Sequence, residues 1–155
     1  MSQTAEPVSP EHLQAIGLIT VNFASLENWI SMIIWQLISD DQRLGQIITA
    51  ELSYRNQLAL LSSVFLHRAP DAEQQTELER LVSRALKIEQ ERNIIVHSWW
   101  GSGDSPQTIT RLKTTAKISK GLRHQFVRMT VADLNTIADD IEQLTIDVRS
   151  FFHKL

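Results

Sequence analysis

Apolar residues recur at helical spacing along most of this chain, and the pattern breaks in one place. From Pro10 to about residue 39, Ile16, Ile19, Phe23, Leu26, Ile30, Ile33 and Leu37 form one stripe. Ser9 offers an N-cap, Pro10 the first helical position and Glu11 an acid in the first turn. Val21, Met32 and Trp35 make a second, weaker apolar patch, so this helix needs two surfaces to pack against. That patch is read as a self-association face or as a seat for a later element. A second helix is expected over about 41–67, faced by Ile47, Tyr54, Leu58, Leu61 and Phe65, with Gly45 softening its start. Pro70 stops it, Asp71 caps the next helix and Gln74 takes the capping-box position. The third helix is expected over about 72–99, with Leu78, Leu81, Ala85, Ile88, Ile95 and Trp99 on its core stripe.

The break comes at "GSGDSP", Gly101–Pro106, which cannot continue a helix. Residues 107–129 are rich in β-branched and aromatic residues around a Ser119–Gly121 turn, the pattern of a two-stranded hairpin. Thr130 then caps a last helix, with Asp133 three residues on and a stripe of Leu134, Ile137, Ile141, Leu144, Val148, Phe151 and Leu155. These elements predict an all-α fold in a single domain, 1–155. It is an antiparallel four-helix bundle over 10–155 with a small β-hairpin inserted before the last helix, preceded by a flexible leader at 1–8. A lone hairpin is marginal in water, so it is expected to pack on the bundle or on a partner.

At 155 residues the chain is long enough to bury a core without staples. It has no cysteine, hence no disulfide and no thiolate metal site. His12, His67, His97, His124 and His153 do not pair at metal-ligand spacing, and there is no phosphate-cradling glycine loop or nucleophile elbow. No metal and no cofactor are expected. The N-terminus lacks a basic start followed by an apolar run, and the apolar stretch Trp29–Ile38 is short for a bilayer span, so a soluble, cytoplasmic protein is expected.

One stretch does not fit a plain core helix. "ERNIIVHSWW", Glu91–Trp100, puts an arginine in the middle of the apolar arc defined by Leu81, Ala85, Ile88 and Ile95. At 100° per residue His97 lies about 140° around from Arg92 and about 7.5 Å along the axis, with Asn93 between them in angle. A buried guanidinium keeps its charge and needs a partner. Glu27, at the margin of the first helix's stripe, is the leading candidate, and a structural Arg92–Glu27 ion pair is one complete reading. His97 is read either as a surface histidine near a helix end or as a proton-transfer group.

Taken together, Arg92-Asn93-Ile94-Ile95-Val96-His97 near the end of a long helix resembles the signature of the HEPN superfamily. The layout is similar too: a long first helix with an inward Glu27, the motif in the third long helix, and a terminal helix. The hairpin and the leader are not part of the common pattern. The resemblance implies a metal-independent endoribonuclease, or a relative that has lost the activity. It implies that two protomers meet so that both motifs line one cleft, and that the protein is a toxin or defence component beside a cognate antitoxin. In that reading His97 moves the proton, Arg92 holds the phosphate and Asn93 orients one of them. The competing readings are a non-catalytic module of the same fold binding RNA, a nucleotide or a protein, and an unrelated helical interaction protein.

Charge segregates in the hairpin. Between Ser105 and Ala132 there is no acid, yet Arg111, Lys113, Lys117, Lys120, Arg123, Arg128 and His124 fall there, in a chain of net charge -3. Arg111, Lys113 and Lys117 alternate onto one strand face. A basic ribbon of this kind suits RNA backbone contacts, and Phe126 can stack on a base. The same residues also describe a solvated edge strand or a seat for an acidic protein. Trp99 and Trp100 are both expected to pack in the core, the alternative for Trp100 being a wall of the cleft or a contact with the hairpin.

Overall fold

The computed structural model describes residues 8–39, 41–117 and 121–155. The leader expected at 1–8 lies, but for Val8, outside them, and so does the turn as far as Lys120. In chain order the elements are α1 (Pro10–Ile38), α2 (Gln42–Thr49), α3 (Tyr54–His67), α4 (Ala72–Val96), β1 (Trp99–Ser102), β2 (Thr108–Lys117), β3 (Gly121–Thr130) and α5 (Val131–Phe152). The expected all-α four-helix bundle is therefore corrected. Among the described residues five helices accompany a three-stranded antiparallel sheet of order β1-β2-β3.

Two local causes account for the difference. The expected 41–67 helix is two helices because the chain holds two N-caps. Asp41 accepts from the Arg43 amide at 2.9 Å, and Ser53 accepts from the Asn56 amide at 3.3 Å. The expected 72–99 helix stops at Val96 because side chains take up its last carbonyls. Ser98 Oγ donates to the Ile94 carbonyl and Trp100 Nε1 to the Ile95 carbonyl at 3.1 Å. Freed from the helix, Trp99–Ser102 pairs with Ile109–Leu112 as a third strand.

Contacts divide the chain into two compact units. The first comprises Met1–Val21 and Glu89–Asp140. Its buried residues include His12, Ala15, Ile19, Ile95, Ile109, Leu134 and Ala138. Ser9 caps α1 as expected, and its hydroxyl also sits 2.8 Å from His12 Nδ1. β2 and β3 pair from Thr108↔Thr130 to Lys117↔Gly121. Gly121 opens β3 at φ 65°, a left-handed angle that glycine adopts without steric cost.

The cap of α5 is a reciprocal box. The Thr130 amide donates to the Asp133 carboxylate at 2.8 Å, and the Asp133 amide donates to the Thr130 hydroxyl at 3.1 Å. The backbone hydrogen bond, then the hydroxyl of Thr130, hold the Asp133 carboxyl below its ordinary value. A depressed acid stabilises the fold above its unfolded value, and that contribution is lost as pH falls through the folded one. Thr130→Ala is expected to cost about 1 kcal/mol in a urea melt at neutral pH. The gap to the parent should narrow in acid; a gap that widens there overturns the box as its cause.

The second unit comprises Asn22–Ile88 and Ile141–Leu155. Leu26, Ile30, Ile33, Ile34, Leu58, Leu61, Leu78, Leu81, Leu144 and Phe151 are buried in it. Polar ties join its helices: Ser31 Oγ donates to Gln57 Oε1 at 3.0 Å, and Trp35 Nε1 to Thr49 Oγ1 at 2.8 Å. Arg84 pairs with Asp147. Burial pushes the Asp147 carboxyl up, but hydrogen bonds from Arg84 and Gln143, with the Arg84 charge, outweigh it and hold the group below its ordinary value. The Trp35 side chain packs on Gly45, where a β-carbon would stand 2.7 Å from the indole. Ile47 is exposed rather than on the core face.

α1 is also the one described helix long and apolar enough to cross a membrane by length and composition, with mean hydropathy 1.2 over its best window. The expected limit set by Trp29–Ile38 is thus too short a measure. The apolar side chains Ile19, Leu26, Ile30, Ile33 and Ile34 are nevertheless all buried against protein. Of the second patch on this helix, Val21 is exposed, while Met32 and Trp35 line a surface cleft of about 300 Å³ with Gln36, Ser39, Gln42 and Phe152.

Candidate functional site

The motif residues all lie in the first unit, at the end of α4. Arg92 and Asn93 are half-buried, and Arg92 Nη1 donates to Asn93 Oδ1 at 3.0 Å. The bond fixes the guanidinium beside the Asn93 amide. His97 follows α4 directly. Its amide continues the helical ladder to the Asn93 carbonyl at 3.1 Å, and its side chain is exposed. Glu27, on α1, is half-buried and belongs to the second unit. Among the described residues no group of three or more histidines and carboxylates is placed to hold a metal ion.

Directly after His97 the chain enters the sheet, whose two faces differ. One face is covered. It carries Ile109 and Arg111 of β2, Val127 and Met129 of β3, and Trp100, opposite Arg111. Of the basic ribbon expected from alternation, Arg111 and Lys113 share this face, but Arg111 is only 5% exposed. Its Nη1 donates to Ser98 Oγ at 3.4 Å, and burial lowers its pKa from the ordinary arginine value. Arg111 is thus a core-facing cation, while Lys113 next along the face is half-buried. The side chain of Lys117 and all of Lys120 lie outside the described residues. Arg123 and Arg128 are exposed, and Arg128 pairs with Asp104, an exposed bridge of small energetic weight.

The other face is open. Trp99, Leu112 and Phe126 stand directly across the three strands from one another. Trp99 is 61% exposed and Phe126 68%. The expected core position of Trp99 is therefore corrected: the helix ends before it, and strand alternation turns it outward. Its ring lies over Gly101, where a β-carbon would come within 2.4 Å of it. Thr110 and Arg128 flank the row on one side, and Thr114 and His124 on the other, with Thr114 Oγ1 3.0 Å from His124 Nδ1. Sequence reasoning found Phe126 but missed the row, because β1 looked like a helix end. The one signal available was that Trp99, Leu112 and Phe126 come to one level only if "WWGS" is read as a strand.

Compared with family models, curated proteins and solved structures, the chain matches none.

Proposed function

We propose that this protein is a metal-independent endoribonuclease that acts as a homodimer in the cytoplasm, with Arg92, Asn93 and His97 as its working residues. One observation carries the reading. A guanidinium anchored by Asn93 sits five residues before an exposed imidazole at the same helix end. RNA contains its own nucleophile, so cleavage needs only a proton acceptor, a proton donor and a fixed cation. The 2′-oxygen forms the new bond to phosphorus as its proton leaves, and the 5′-oxygen departs as it gains one. His97 takes or gives that proton, Arg92 meets the charge on the phosphate oxygens, and Asn93 holds Arg92 in place. Two copies of the motif across a dimer cleft divide the acid and base roles.

The test is incubation of mixed cellular RNA with the purified protein in excess chelator. Fragments ending in a 2′,3′-cyclic phosphate are the expected product. Cleavage that chelator stops, or intact RNA after incubation with folded, dimeric protein, overturns the reading.

A further inference from the structure

We infer that the open face of the β1-β2-β3 sheet is a stacking platform for the unpaired bases of single-stranded RNA, with Trp99 and Phe126 as its two rings. This deepens the ribonuclease reading by naming the substrate class, and it rests on that reading for its link to cleavage.

Large aromatic side chains more than 60% exposed are unusual on a sheet with a covered side to fold them into. Here both stand on the open side, one on each outer strand, at the same register level. Strand spacing sets them roughly 10 Å apart, with half-buried Leu112 between as an apolar floor. Flat rings on a flat floor accept the faces of splayed bases without reading their edges. A duplex keeps its bases stacked on each other and offers no such faces.

Charge selects the occupant. His124 and Arg128 share the open face, exposed Arg123 alternates onto the opposite one, and no acid falls between Ser105 and Ala132. Asp104 pairs with Arg128 at the margin, and an exposed pair of this kind is readily exchanged for a phosphate. Position completes the case. Trp99 follows His97 by two residues, a chain span of at most roughly 7 Å, so the platform starts directly after the motif.

The probe is a labelled 2′-O-methyl oligouridylate, which binds as RNA but lacks the nucleophile. Fluorescence anisotropy of the parent should show binding, with weaker binding of the same label in a duplex. Trp99→Ala and Phe126→Ala should each lower affinity about tenfold, while Phe126→Tyr keeps it. Thermal melts of all three guard against misfolding. Parent-like binding by Trp99→Ala and Phe126→Ala, or preference for the duplex, overturns the platform. So does failure of the parent to bind the oligomer while the two alanine variants change its oligomeric state, which would mark the face as a protein contact. The platform stands without the ribonuclease if the probe binds and unmodified RNA is never cut. The ribonuclease stands without the platform if RNA is cut and the two alanine variants cut it equally well.

Discussion

His97→Ala is expected to abolish RNA cleavage and leave the fold untouched. A positioned general acid or base is worth roughly 10²–10⁴-fold in rate. The imidazole is exposed and, among the described residues, no side-chain hydrogen bond of His97 anchors the structure. Surface substitutions of this kind fall within about 0.5 kcal/mol in stability. The measurement pairs initial cleavage rates with a thermal melt. A variant that cuts at the parental rate removes His97 from the chemistry. A variant that melts early makes it a structural residue at the end of α4. Asn93→Ala provides the contrast, because it acts through Arg92, whose Nη1 it holds.

Phe151→Ala should produce the largest loss of stability. The side chain is 1% exposed, and its ring lies 5.5 Å from that of Phe65 in a tilted pair. Truncating a buried phenylalanine removes its transfer energy and leaves a cavity, at about 3–5 kcal/mol. For a chain of this size that lowers Tm by roughly 10 °C. The unit that holds Phe151 does not contain the motif, so cleavage per folded molecule should be unchanged below the new transition. Phe126→Ala is the matched control: the same deletion on an exposed strand should leave the melt close to the parent's. Equal losses from the two variants would mean that the burial of these positions has been misassigned.

How much of this was legible beforehand differs element by element. The stripe of α1, the Ser9 and Thr130 caps and the β2–β3 pairing follow from local rules. Helical periodicity, side-chain capping and β-branched alternation act over a few residues and are written in order along the chain. The same holds for the motif itself, since Arg92, Asn93 and His97 are local to one helix end.

What resisted reading depended on distant partners. "WWGS" continues an apolar helical stripe as well as it makes a strand. It becomes β1 only because β2, several residues later, supplies a hydrogen-bonded edge, and because Ser98 and Trp100 reach back to the α4 carbonyls. The same choice turned Trp99 outward and put Arg111 under the sheet, since a two-residue period assigns each side chain a face only once the pairing exists. Local patterning along the chain thus determined the stripe of α1, the helix caps and the placing of Arg92, Asn93 and His97 at one helix end. Tertiary pairing decided which aromatic rings and which cations meet solvent, because burial belongs to the neighbours a residue acquires and not to the residue itself.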